Sequence, residues 1–213
     1  MAVQMHSFVR SGEATATPRP FAEGPDGQLD LARSYAPAAP PTPWEVLGLP
    51  MRLDLDLPAV ELRVRGLIRA LHPDRFHTQG PQAVADAERH TALVNDAWRT
   101  LRDPERRVGW LLDHLGQNQT ALPPAWAMAL FERNEAIDDA QGDPVASAQI
   151  RAALLAEVRA EREQLRAEIA VASARFDAAQ QTGDSSAAQA AVATLATLLA
   201  QAPALDNLLA RLG

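Results

Sequence analysis

The sequence predicts an all-α protein in two parts, a helical hairpin domain followed by an antiparallel three-helix bundle. Three observations carry that prediction. Aromatic residues make up 5% of the chain, alanine and leucine dominate, and β-branched runs of strand length are hard to find. Apolar residues recur at three- and four-residue steps along most of the chain beyond residue 42, the spacing of a helix face. Prolines and glycines fall between those stripes, where helices start and stop.

The bulk numbers bound the function. A chain of 213 residues with 47% apolar and 22% charged residues is long enough for one or two cored domains. It contains no cysteine, which excludes disulfides, thiolate zinc sites and cysteine-ligated clusters and fits a reducing cytoplasm. The first thirty residues lack an apolar core of signal-peptide length, and no later segment reads as a membrane span, so a soluble, cytoplasmic protein without a membrane partner is expected. All twenty basic residues are arginine against 27 acids, a net charge of −7. A general nucleic-acid binder is therefore disfavoured, and any basic recognition surface must be local.

Residues 1–41 carry six of the sixteen prolines and no periodicity, which predicts a disordered arm in which Phe8, Phe21 and Tyr35 are isolated. Order should begin at Thr42, which can cap a short helix opened by Pro43 and closed by Gly48. The next helix should start at Leu57-Pro58 with Asp56 as its cap and run to Leu71. Its Val60, Val64, Leu67, Ile68 and Leu71 form one stripe, with Arg65 and Arg69 one turn apart on the far side.

Pro73 stops that helix, because it fixes its own φ and pushes His72 out of the helical region. The tripeptide His72-Pro73-Asp74 then opens a loop that runs through Arg75-Phe76-His77-Thr78-Gln79-Gly80. A helix from Pro81 to about Leu101 carries a seam of Ala87, Thr91, Val94, Trp98 and Leu101, suited to antiparallel packing on its predecessor. His72 to Asp74 is thereby the tip of a helical hairpin. A shorter helix from Pro104 to Leu115, ended by Gly116, supplies Val108, Leu111, Leu112 and Leu115.

Taken in order, WEVLGLP, the arginine-bearing helix, HPDRF, VNDAWRTL and DPERRVGWLL resemble a J-domain, the module with which co-chaperones stimulate heat-shock ATPases of the DnaK class. The match covers residues 42–116. The phenylalanine after HPD-Arg and the Leu-Arg-Asp-Pro-x-x-Arg continuation resemble one branch in particular, the HscB-type co-chaperones of iron-sulfur cluster assembly. That resemblance implies that His72, Pro73 and Asp74, with Arg65, Arg69 and Arg75, engage an HscA- or DnaK-type chaperone.

Beyond a break at 117–120, residues 121–213 read as the bundle. One helix opens at Pro123-Pro124 and reaches about residue 140. A second starts at Pro144 and runs near Thr182, with Ile150, Leu154, Val158, Leu165, Ile169 and Phe176 in one stripe. The last carries Val192, Leu195, Leu198, Leu199, Leu205, Leu208, Leu209 and Leu212, with Pro203 in its interior. On the first of these helices Trp126, Leu130 and Ile137 should face the core. Met128, Phe131, Glu132, Glu135 and Asp139 gather on the opposite side, apolar anchors flanked by acids, which describes a modest binding patch.

The HscB resemblance implies that this bundle holds an IscU-type scaffold protein, and Ala127, Met128, Phe131, Glu132, Glu135 and Asp139 fall where that family carries its scaffold contacts. Ala127 is smaller than the family's leucine there. The last helix has Thr197-Leu-Leu-Ala in place of an aromatic-bearing run, and Pro203 is a further departure. A general J-domain co-chaperone with another client is the alternative reading.

No enzyme is expected. His72, Asp74 and His77 lack further ligands in the local sequence, so no metal site is read there, and no cofactor is expected on this chain. His90 and His114 read as helix-surface or partly buried residues. There is no Gly-rich phosphate loop and no nucleophile elbow. Glu157, Glu161, Glu163 and Glu168 interleave with Arg159, Arg162 and Arg166, which predicts a solvated face with local ion pairs.

Overall fold

The computed structural model describes residues 22–23, 29–30, 41–117, 121–139 and 144–213. Most of the expected arm, with Phe8, Phe21 and Tyr35, lies outside the described residues, as do 118–120 and 140–143. The described residues form seven α-helices, α1 (Pro43–Leu47), α2 (Leu57–Ala70), α3 (Pro81–Leu101), α4 (Pro104–His114), α5 (Pro124–Asp139), α6 (Pro144–Thr182) and α7 (Ser185–Leu212). The described residues add one two-residue antiparallel pair, β1 (Ala22–Glu23) with β2 (Leu29–Asp30), Ala22 opposite Asp30. The all-α expectation holds, with four residues of sheet. Contacts divide the chain into two compact units, 1–107 and 108–213, so the division falls within α4.

In the first unit the chain enters α1 through a capping box. Thr42 Oγ1 accepts from the Glu45 amide at 3.2 Å, and Glu45 Oε2 accepts from the Thr42 amide at 2.7 Å. Gly48 closes the helix in the left-handed region at φ 61°, where a side chain would be strained. The short helix is then tied down at both ends of its apolar face. Trp44 is buried and its Nε1 donates to the Arg52 carbonyl at 2.8 Å, while Arg63 Nε donates to the Leu47 carbonyl.

Asp56 caps α2, its Oδ1 accepting from the Ala59 amide at 3.2 Å. α2 and α3 form the expected antiparallel hairpin over a core of Val60, Val64, Leu71, Ala87, Val94 and Leu101. The seam on α3 differs from the expected one. His90 and Ala97 are buried in it, whereas Thr91 and Trp98 are half-buried. A small alanine allows close approach of the neighbouring helices, and the His90 ring satisfies its Nδ1 on its own helix, 2.7 Å from the Asp86 carbonyl.

The second unit is a long α6–α7 hairpin with shorter helices laid on it. Gly183 turns the chain at φ 72°, and Asp184 caps α7 by accepting from the Ala187 amide at 3.0 Å. Val158, Leu165, Ile169 and Phe176 face Val192, Leu195, Leu205 and Leu208 in its core. Val108, Leu111 and Leu112 of α4 are buried too, and a Cβ on Gly109 would stand 3.5 Å from Leu199 Cδ2. α5 has 16 residues against the 39 of α6, about 24 Å against about 58 Å. The three-helix arrangement is therefore confined to one stretch of the hairpin.

Three further expectations need correction. Ile150, placed in the α6 stripe, is 37% exposed, because the core of α6 starts a little over two turns later at Val158. The charged run on α6 is not a purely solvated face. Arg162 is buried and pairs with Asp206 of α7 at 2.8 Å, and Arg133 of α5 bridges Glu157 at 2.8 Å and Glu161 at 2.7 Å. Glu163 and Arg166, 2.6 Å apart, form a local pair of the kind the spacing predicts in that run. Finally, α7 is the one helix among the described residues long and apolar enough to cross a membrane. Its Leu195, Leu205 and Leu208 are the residues buried in the bundle core, as in any helix that a soluble core consumes. Pro203 sits on its exposed side and the helix continues through it, short of the hydrogen bond that an N–H there would make.

Candidate functional site

The tip of the α2–α3 hairpin is an exposed triplet strung between two buried anchors. Leu71 and Phe76 are fully covered, and the Thr91 hydroxyl donates to the Leu71 carbonyl at 3.4 Å, so both ends of the segment are fixed to the domain. His72 leaves the helical region at ψ 127°, as a residue before proline must. Pro73–Arg75 and His77–Gln79 are then consecutive 3₁₀ turns, and Gly80 leads into α3 at φ 99°.

Within that segment His72, Asp74 and Arg75 are exposed and Pro73 is half-buried. The Asp74 amide donates to His72 Nδ1 at 3.3 Å, which closes the first turn. One Asp74 oxygen, Oδ1, lies 3.3 Å from His77 Nε2, and the other, Oδ2, lies 3.5 Å from His72 Nδ1. The carboxylate itself is 74% exposed, open to a donor from outside. Among the described residues no group of three or more histidine, aspartate or glutamate side chains is arranged to hold a metal ion.

The flank of the tip is basic and exposed, with one qualification that spacing alone does not reveal. Arg65 already pairs with Glu61 at 2.6 Å, one turn back on α2. Such an exposed i, i+4 pair is worth only a few tenths of a kcal/mol (~0.3–0.5), so a partner can displace it. Arg69 lies over the Arg65 carbonyl at 3.5 Å. Leu62, 69% exposed one turn before Arg65, adds an apolar group to the same face. Sequence reasoning passed over it, although its three- and seven-residue spacing to Arg65 and Arg69 was legible.

The second surface lies on α5. Met128 is 67% and Phe131 62% exposed, and Ala127, Glu132, Glu135 and Asp139 are exposed with them. Ile137 is buried on the inner side, and Trp126 and Leu130 are half-buried. The polar residues of the two sides are used differently. On the inner side Arg133 holds α6, while Asn134 and Asp138 accept from Arg211 of α7, Asp138 at 2.9 Å. On the outer side no ion pair among the described residues engages Glu132, Glu135 or Asp139. α5 is thus fixed by one face and presents two apolar side chains among three uncommitted carboxylates on the other.

Comparison with known proteins adds the following. No protein-family model matches the chain. The co-chaperone protein HscB homologue of Bordetella petrii is 34% identical over 127 residues, 57% of this chain and 75% of that protein. The homologue of the same name from Burkholderia mallei is 35% identical over 145 residues, 66% of this chain and 80% of that protein. Among solved structures, the crystal structure of human co-chaperone protein HscB superposes with a TM-score of 0.60 at 20% identity, over 94% of this chain and 92% of that one. The chaperone HscB from Vibrio cholerae gives a TM-score of 0.51 at 23% identity, over 81% of this chain and all of the other. The two structures share the all-α fold described above.

Proposed function

This chain belongs to the HscB family of co-chaperones, and on that premise we propose that it stimulates ATP hydrolysis by an HscA- or DnaK-type heat-shock chaperone while delivering an IscU-type scaffold protein to it. The setting is iron-sulfur cluster assembly in the cytoplasm. Residues 42–116 are the chaperone-facing J-domain and residues 121–213 the scaffold-facing bundle. Nucleotide is bound and hydrolysed on the partner, and no enzymatic activity is assigned to this chain.

The observation that supports this reading best is the exposed Asp74 carboxylate, held by Pro73 between the buried Leu71 and Phe76. An anion fixed at a rigid tip can accept from an arginine or backbone donors of a partner, and Arg65, Arg69 and Arg75 beside it draw an acidic partner surface into register. On α5, Met128 and Phe131 supply apolar area and Glu132, Glu135 and Asp139 supply orientation for a scaffold with a basic, apolar-centred surface. One chain carrying both surfaces raises the local concentration of scaffold at the chaperone, so neither contact need be tight.

The test is Asp74→Asn, which keeps the size of the side chain and removes its charge. Stimulation of the chaperone ATPase should disappear while helical content and scaffold binding stay at wild-type values. A variant that stimulates like wild type refutes the assignment. One observation favours a second reading, a general co-chaperone with another client. Thr197 stands where the family's aromatic is expected, and its hydroxyl turns back to the Ala193 carbonyl at 3.0 Å instead of outward. Absence of binding between the wild-type protein and an IscU-type scaffold would select that reading.

A further inference from the structure

The loop contains an imidazole that the function above does not use. His77 follows Asp74 by three residues, the two side chains standing on consecutive 3₁₀ turns joined through Phe76. The result is His77 Nε2 at 3.3 Å from Asp74 Oδ1. The buried Phe76 joins the two turns, its amide donating to the Pro73 carbonyl and its carbonyl accepting from the Gln79 amide, both at 2.9 Å.

The other imidazole cannot do the same work. His72 Nδ1 accepts the Asp74 amide proton at 3.3 Å, so in the neutral ring that nitrogen carries a lone pair and no proton. It stands 3.5 Å from Oδ2 with nothing to donate. His77 is therefore the ring of the loop placed to donate to the carboxylate, and it stands against one oxygen only. Oδ2 remains for the partner.

We infer that His77 is a positioning residue for Asp74, holding Oδ1 so that Oδ2 is presented in a single orientation to a cationic or amide donor of the chaperone. The inference rests on the reading of Asp74 as the chaperone-facing group. Its physical content is preorganisation. Without His77 the exposed carboxylate samples its rotamers freely, and that freedom is lost again on each binding event. Covering the pair by a partner also removes water from the His77–Asp74 contact and strengthens it.

The measurement is ATP turnover by a purified HscA- or DnaK-class chaperone, titrated with the full-length protein as wild type, His77→Ala, His77→Gln and Asp74→Asn. His77→Ala should raise the half-saturating concentration about 3- to 10-fold, the range of one hydrogen bond, and leave maximal stimulation and the melting temperature unchanged. His77→Gln, whose side-chain amide also donates, should recover most of that affinity. Asp74→Asn should abolish stimulation at every concentration. If Asp74→Asn is inactive while His77→Ala saturates like wild type, the positioning role is overturned and the function of Asp74 stands. A glutamine variant as weak as the alanine one also overturns it, because the donor is then not what matters. If Asp74→Asn stimulates normally, both readings fall.

Discussion

Replacing Met128 and Phe131 together with alanine should weaken scaffold binding far more than it weakens the fold. Phe131 is 62% and Met128 67% exposed, so only about a third of each side chain contributes to intramolecular packing. Full burial of such side chains is worth about 1.5–3 kcal/mol, so the folded state gives up about 0.5–1 kcal/mol at each position. A partner that covers the remaining two thirds gains about 1–2 kcal/mol from each. Loss of both then costs about 2–4 kcal/mol of binding, roughly 30- to 1000-fold in affinity. Ile137 provides the contrast, since it is 6% exposed on the inner face and Ile137→Ala should destabilise the bundle by about 2–5 kcal/mol. Titration of an IscU-type scaffold by calorimetry, with thermal melts of each variant, measures both quantities. Unchanged affinity in the double variant would refute the assignment of this face. So would a melting temperature lowered as far as by Ile137→Ala, because the two side chains would then be core.

Two further outcomes follow from buried groups near the hairpin tip. Phe76→Ala removes an anchor that is 4% exposed and should cost about 3–5 kcal/mol in stability. The first unit should lose chaperone stimulation with it, and a variant with both the stability and the stimulation of wild type would show that Phe76 does not set the loop. Burial first, and the neighbouring Arg89 charge second, hold the His90 pKa below its ordinary 6.5. The unfolded chain therefore takes up a proton there before the folded chain does, so the His90 contribution makes stability fall as pH drops below about 6.5 and level off below the lowered folded value. His90→Leu removes that contribution. Its denaturation midpoint should fall less steeply than that of wild type across this window, and parallel profiles for the two proteins would refute the assignment.

Periodicity found the helices because their caps are written in residue chemistry. Thr42, Asp56 and Gly48 act as predicted, and α3 and α6 begin at the expected prolines, Pro81 and Pro144. What it missed are the polar members of the core. His90, Arg162, Ser173 and Asp177 are buried, yet an apolar stripe cannot announce them, because their burial depends on partners on the same turn or another helix. Arg162 looked like one more member of an alternating charged face, yet it is buried and pairs with Asp206, forty-four residues later. Ile150 errs the other way, since an apolar residue in register still needs a neighbour to cover it. The tip was legible as a turn through Pro73. The contact of His77 with Asp74 was not, because it depends on two 3₁₀ turns that no spacing rule distinguishes from an irregular loop.

Within α5 the two faces differ in whether a charged group finds its partner on another helix. Arg133 and Asp138 do, as do Arg162 of α6 and Arg211 of α7, and each joins one helix to another. Glu132, Glu135 and Asp139 sit within a few residues of those on the same helix and make no ion pair among the described residues. Local composition cannot account for that difference, because α5 alternates the two kinds of residue along its length. The side of the helix decides it. At the hairpin tip the pattern is graded: Arg65 has a weak partner in Glu61, and Asp74 has His77 at one oxygen and His72 3.5 Å from the other. Exposed i, i+4 pairs such as Arg65–Glu61 are contacts a protein partner can replace at a cost of about 0.5 kcal/mol or less. The interhelical pairs involving Arg133 and Arg162 are more deeply placed and hold the scaffold on which those surfaces stand. A partner can therefore bind the hairpin tip by displacing the Arg65–Glu61 pair, and the outer face of α5 without displacing an ion pair of the described residues, with the bundle and the hairpin kept intact beneath it.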